Sequence, residues 1–214
     1  MKSLLLSAVI ALLPALLLQA AEKAAEKPGQ KSDKKTSPAV DQSLKIGEQA
    51  PEFAIKDSTG KLIKLVDLTD KGPVLVRLTC GCSGCDRELA YFQTLHEAYK
   101  GKGLTSLAIF REPDKKVEAY VKQKKLQMLY AVDTRGESWK VFETKSMPSN
   151  FLIEKGGRVR SIATGCDPSG LLANNVSKFV AELLETKKVD VQKRTNAARV
   201  SAKQTSPPKK TAGK

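Results

Sequence analysis

The sequence predicts an α/β domain over residues 45–186, and three observations carry that prediction. Segments with strand and helix patterns alternate along the middle of the chain, as in a sheet covered by helices. Residues 74–79 (VLVRLT) form a mostly apolar, β-branched run of central-strand length, opened by Gly72-Pro73. Apolar residues make up 41% of the 214 positions, but they crowd into the start and the middle, so only the middle can bury a core.

Taken in order, residues 54–57, a Ser58-Thr59-Gly60 turn and residues 61–65 read as a β-hairpin. The strand at 74–79 runs directly into a cysteine cluster. Residues 83–99 space Leu89, Phe92, Leu95 and Tyr99 by three or four, so a helix begins inside that cluster, and Gly101 and Gly103 stop it. Residues 104–110 read as a strand, 114–126 as a helix capped by Asp114, and 128–132 as a short strand. This alternation implies parallel pairing, with chemistry at the carboxyl ends of the strands, where the cysteines lie. Residues 151–154, a Lys155-Gly156-Gly157 turn and residues 158–164 make a second hairpin, and residues 171–184 the last amphipathic helix.

The flanks read differently. Met1-Lys2-Ser3 followed by the apolar run 4–18 has the order of a secretory signal, assigned to residues 1–21. The run is shorter than the roughly 20 residues of a comfortable membrane span and is interrupted by Pro14, so a cleaved signal is favoured over an anchor. Residues 22–44, rich in Lys, Glu, Ala, Ser and Pro, read as a disordered tether. Residues 187–214 carry nine Lys or Arg against the single Asp190, over half of the net charge of +14, and read as a basic disordered tail. That tail has no aromatic residue to stack on bases, which argues against nucleic acid. Export to the periplasm or cell envelope is expected, with no stable membrane span.

Val74-Leu75-Val76-Arg77-Leu78, then Cys82-Ser83-Gly84-Cys85, and far downstream Met147-Pro148-Ser149-Asn150-Phe151-Leu152-Ile153 together resemble the TlpA/ResA branch of the thioredoxin fold, the envelope thiol-disulfide oxidoreductases, which are related to the AhpC/TSA peroxiredoxin-like superfamily. The resemblance implies a thioredoxin-like α/β fold: a central mixed sheet with an N-terminal β-hairpin and flanking helices. It also implies a cis Met147-Pro148 peptide beside Cys82, where backbone is open to a client's extended chain. Glu88, three residues after Cys85, matches an acidic residue that ResA-like proteins place near the motif, where it shuttles protons. The alternative for Glu88 is a surface helix charge paired with Arg87 or another neighbour.

The chemistry fits the arrangement. A thiolate attacks a disulfide, and a Cys at a helix N-terminus faces unpaired N–H groups and the positive end of the dipole, which lower its pKa. Cys82 is placed for attack, and Cys85, one turn on, is in reach to resolve the mixed disulfide. The expected partners are protein thiols and disulfides of the envelope and a redox partner that recycles the site. No cofactor beyond the redox-active disulfide is expected, since no phosphate loop, Ser-His-Asp set or carboxylate pair is visible. Trp139, Phe142 and Tyr130 are read as core or rim packing. Gly81 stands where relatives carry Trp, Ala90 where they carry Pro, and Val76 where thioredoxin has a buried Asp. Cys80 and Cys166 are two extra thiols: either they exchange with the Cys82–Cys85 pair or bond each other, or they are unrelated to it.

Two other readings compete. Thr79 precedes Cys82 by three, as in the T-x-x-C of peroxiredoxin-like peroxidases, which would make Cys82 peroxidatic. Such enzymes need an earlier Pro and an Arg, and here Leu75 and Pro148 occupy those places. The other reading is a Cu(I) carrier built on Cys80, Cys82 and Cys85. Copper chaperones on this fold use C-x-x-x-C and a distant His, whereas this spacing differs and the single His96 lies on the helix after the motif.

Overall fold

In the computed structural model, residues 43–205 are described. The sequence readings for residues 1–42 and 206–214, the signal and most of the tether included, lie outside them. The first hairpin is as read: β1 (Ala54–Lys56) pairs antiparallel with β2 (Leu62–Lys64). Asp57 sets the turn by accepting the Thr59 and Lys61 amides at 2.9 and 3.0 Å, an Asx-turn arrangement. The main sheet holds β3 (Val74–Thr79), β4 (Thr105–Phe110), β5 (Leu129–Val132), β6 (Ser149–Ile153) and β7 (Val159–Thr164) in the order β5-β4-β3-β6-β7. β3, β4 and β5 are parallel, while β6 runs antiparallel to β3 and β7 to β6, so the sheet is mixed.

β3 is central and every residue in it is buried. Its alternation sorts the two halves of the core. Val74, Val76 and Leu78 face the hairpin side with Ile63, Leu65, Trp139, Phe142 and Phe151. Leu75 faces the other way, with the apolar stripe of α2 (Ser83–Tyr99), Val117 of α3 (Asp114–Lys124), and Val176 and Val180 of α5 (Leu171–Leu183). By the same period of two, Arg77 shares the α2 side with Leu75. Two five-residue helices, α1 (Leu65–Thr69) and α4 (Glu137–Val141), were not foreseen. One turn is too short to show a 3.6-residue repeat.

Two expectations need correcting. Asp114 is the first residue of α3, not its cap: Pro113 holds the cap place, where no side-chain hydrogen bond forms. The reading of residues 187–214 as disordered fails over Val191–Thr205, which is a further helix, α6, so α5 is not the last. Composition hid it, because a lysine-rich segment reads as solvated. Yet Val191 is fully buried and Thr195, one turn on, nearly so, and Asp190 Oδ1 accepts the Lys193 amide at 2.9 Å, as an N-cap does. The strand of chain before α6 is anchored as well. Tyr99 Oη accepts the Val189 amide at 2.8 Å, and the Ser177 hydroxyl donates to the Val189 carbonyl at 2.7 Å.

Candidate active site

The chain leaves β3 at Thr79 and enters α2 at Ser83, so Cys80, Gly81 and Cys82 form the link at the carboxyl edge of the sheet. Cys82 takes the N-cap place with extended backbone (φ −71°, ψ 159°), and its side chain makes no cap hydrogen bond. Its exposed sulfur therefore lies beside the unpaired amides of the first helical turn. Cys85 is buried one turn further on. Cys80 is half-buried and touches both: its Sγ lies 2.7 Å from Cys82 Sγ and 3.3 Å from Cys85 Sγ. All three sulfurs fall within 4.8 Å of one another.

This contact divides the labour between the first two thiols. The Cys80 S–H donated to Cys82, followed by the backbone amide of Cys85, holds the Cys82 thiol below its ordinary range. Burial, then the bond to Cys82, pushes the Cys80 thiol well up. Cys82 ionises first, with Cys80 as its donor. Cys166 lies on the other flank of Gly84, donating to the Gly84 carbonyl at 2.8 Å. Burial and the nearby Glu88 carboxylate raise its pKa. A methyl on Gly84 would sit 3.6 Å from Cys166 Sγ and 4.0 Å from Cys82 Sγ, so the four thiols gather around the first turn of α2.

Glu88 is not a surface charge. It is fully buried, and its Oε2 lies 2.9 Å from Arg77 Nη2. Arg77 is buried too, donates to Asn150 Oδ1 at 2.7 Å and to the Cys85 carbonyl at 3.5 Å, and stacks its guanidinium 4.5 Å above the Phe92 ring. Asn150 is the direct cross-strand partner of Arg77 in β6, which is why the two meet. The Asp167 amide donates to Glu88 Oε1 at 3.3 Å, linking the Cys166 loop to the same carboxylate, while Oε2 accepts no aligned hydrogen bond. Burial raises the Glu88 pKa and the Arg77 charge opposes it. The Arg87 pairing considered from sequence is absent among the described residues.

The Met147-Pro148 peptide is cis. Because Ser149 pairs with Leu78, Pro148 comes at the Thr79 end of β3, the end that carries the cysteine link. Its carbonyl accepts the Gly165 amide at 2.9 Å, next to Cys166. On the opposite flank a pocket of about 230 Å³ opens beside Cys82, lined by Gly81, Phe110, Glu112, Lys116, Val117 and Tyr120. Glu112 Oε1 accepts the Gly81 amide at 2.7 Å and pins the link. The Thr79 hydroxyl is buried and donates to the Cys80 carbonyl at 3.3 Å, not to a cysteine sulfur. Trp139 and Phe142 are core and Tyr130 is at its rim, as read. His96 is buried on α2, where burial lowers its pKa.

A family model described as AhpC/TSA matches residues 46–162, more than half of the chain. The chain belongs to the AhpC/TSA family. Within that family it is similar to the thiol-disulfide oxidoreductase ResA of Bacillus thuringiensis subsp. konkukian, 36% identical over 120 residues that cover 56% of this chain and 69% of the relative. ResA of Bacillus subtilis is 28% identical over 125 residues, covering 58% and 70%. A crystal structure from Chlorobium tepidum, described as a thiol:disulfide interchange protein DsbE, superposes with a TM-score of 0.61 at 25% identity, covering 66% of this chain and 99% of that one. The Mycobacterium tuberculosis peroxidoxin BcpB shares the fold, with a TM-score of 0.55 at 20% identity over 67% and 99% of the two chains. This AhpC/TSA protein is thus a thioredoxin-like oxidoreductase of the thiol-disulfide type. Among its described residues no helix is long and apolar enough to cross a membrane.

Proposed function

We propose that the protein exchanges disulfides with protein clients outside the cytoplasm, with Cys82 as attacking and Cys85 as resolving sulfur. The observation that carries this is an exposed Cys82 at the mouth of α2, with a donated S–H at 2.7 Å and Cys85 one turn behind it. In the reducing direction the Cys82 thiolate attacks one sulfur of a client disulfide. An S–S bond to Cys82 forms, and one client thiolate leaves and takes up a proton. The Cys85 thiolate then attacks Cys82 Sγ and expels the second client thiolate. Two electrons have passed from the protein dithiol to the client, and the oxidising direction is the same sequence reversed. Glu88 is the proton acceptor for Cys85: it is buried three residues further along α2, Arg77 Nη2 reaches both its carboxylate and the Cys85 carbonyl, and burial raises its affinity for a proton. Pro148 borders the place where the client chain lies.

Export rests on the apolar run at the N-terminus, and the client class on the relatives' names. Peroxide reduction is the second reading, and the Thr79 hydroxyl, turned to the Cys80 carbonyl rather than to Cys82, weighs against it. The deciding test is trapping at neutral pH with a peptide disulfide. Wild type gives a reversible Cys82–Cys85 bridge, and the Cys85→Ser variant accumulates an adduct at Cys82. Absence of both would end the exchange assignment, whereas steady consumption of hydrogen peroxide by Cys85→Ser favours the peroxidase.

A further inference from the structure

Cys80 neither attacks nor resolves in the exchange, where it only donates its S–H to Cys82, and its sulfur also completes a cluster. Three thiols from two-residue and three-residue spacings, Cys80, Cys82 and Cys85, converge within 4.8 Å of one another at the end of β3. We propose that the reduced protein binds one Cu(I) ion through these three sulfurs, and that closing the Cys82–Cys85 bridge releases it. This inference needs only reduced thiols and does not depend on which client is exchanged.

The donor set selects the ion. Thiolates are soft ligands and favour Cu(I) and zinc over hard cations. A metal about 2.3 Å from each of three sulfurs holds them about 4 Å apart in a plane. The observed separations, 2.7 and 3.3 Å from Cys80 with the third under 4.8 Å, reach that triangle by small side-chain rotations. Structural zinc takes four ligands, whereas Cu(I) is satisfied by three. The fourth thiol, Cys166, is turned to the Gly84 carbonyl and lies outside the trio. His96, which a His-completed copper site would need, is buried among the α2 core residues.

The surroundings suit an anionic metal–thiolate centre. Three thiolates around one monovalent cation leave net negative charge, which the first-turn amides of α2 stabilise. Cys82 is exposed and the 230 Å³ pocket beside it opens towards Glu112, Lys116 and Tyr120, giving an ion an entry path. Binding displaces the thiol protons, one for each ligand still protonated. A disulfide substrate takes two electrons from Cys82 and Cys85 and leaves as two thiols. The S–S bond that closes between the two cysteines removes two of the three ligands and frees the ion, so uptake is tied to the redox state of the pair.

The test uses the full chain, reduced without oxygen, and Cu(I) supplied as its bathocuproine disulfonate complex. Wild type is expected to withdraw one Cu(I) per chain, with three sulfur ligands by X-ray absorption. The bridged form is expected to withdraw none. Cys80→Ser should bind at least tenfold more weakly, with an unchanged circular dichroism melting curve showing that it folds. The proposal is overturned if wild type leaves the copper with the chelator, if only two sulfurs ligate, if Cys80→Ser equals wild type, or if Zn(II) displaces the bound Cu(I). Bridge formation in metal-free wild type is scored separately, so loss of the copper site and loss of the exchange reading give different results.

Discussion

Arg77 is a permanent cation in a strand whose other residues are buried, and its surroundings show how such a charge is tolerated. Its partners are the Glu88 carboxylate at 2.9 Å, Asn150 at 2.7 Å and the Phe92 ring face. Removing one partner of a buried ion pair strands the other, so Arg77→Met is expected to lower unfolding free energy by about 3–5 kcal/mol. Arg77→Met with Glu88→Gln should lose clearly less, as urea unfolding of the single and double variants will show. Equal losses would mean that the pair is not coupled. Glu88 also sets a pH dependence. Its folded pKa is raised above the ordinary 4.5 by burial, against the pull of Arg77, so the folded state binds the proton more tightly than the unfolded state. That contribution is complete below about pH 4.5 and is lost as pH rises through the folded value. Wild type should therefore lose stability relative to Glu88→Gln between pH 4.5 and neutrality. This pair was half legible. An Arg inside VLVRLT demands a buried acceptor, and Glu88 lies four residues before Phe92 on the apolar face of α2. Asn150 was not legible, because it depends on the β3–β6 register.

The elements around the site depend on a few backbone positions. Cys82 at the N-cap and Ser83 as the first helical residue of α2 were readable, because the apolar spacing back from Tyr99 fixes where the helix must start. The entry to α5 was less so. Gly170 caps α5 at φ +83°, a conformation that side chains other than glycine's rarely adopt, and a methyl there would overlap the Tyr91 ring of α2. Tyr91 cannot easily yield, since its hydroxyl is held by Asn196 and Arg199 of α6 at 3.1 and 3.0 Å. Gly170→Ala is therefore expected to cost at least about 1–3 kcal/mol, from left-handed strain and overpacking together. Chemical denaturation of that variant against Gly156→Ala gives the check. Gly156 also has positive φ but nothing within 4 Å of an added methyl, so it isolates strain from overlap. A smaller loss at Gly170 than at Gly156 would refute the packing argument.

Across the whole molecule, the alternation of strands and helices was enough to read the parallel part of the sheet, β3, β4 and β5, and its carboxyl edge, but not the antiparallel pairing of β6 with β3, and the C-terminal boundary was not legible from charge. Composition treats residues 187–205 as solvent-loving, yet a few of their uncharged positions decide the packing. Val191 is sealed against the α2–α5 core, Thr195 donates to Thr94 at 2.7 Å, and Asn174 accepts the Val191 amide at 3.0 Å. The basic side chains face outward, and Arg199 additionally stacks on Tyr91 at 4.6 Å. Ending the chain at Lys188 removes a buried valine, worth about 1.5–3 kcal/mol. It also strips partners from Tyr99 and Ser177, at about 0.5–1.5 kcal/mol for each bond lost. Together these come to about 2.5–6 kcal/mol, so the expected drop in melting temperature is about 5–24 °C, at roughly 2–4 °C per kcal/mol for a chain of this size. The cysteine cluster lies at the far end of α2 from Tyr99, so Cys82 in the shortened protein should react with iodoacetamide at an unchanged rate at temperatures where it is folded. An unchanged melting temperature would return α6 to the status of a solvated tail. Slowed alkylation without unfolding would mean instead that α6 acts on the thiols through Tyr91 and the first turns of α2.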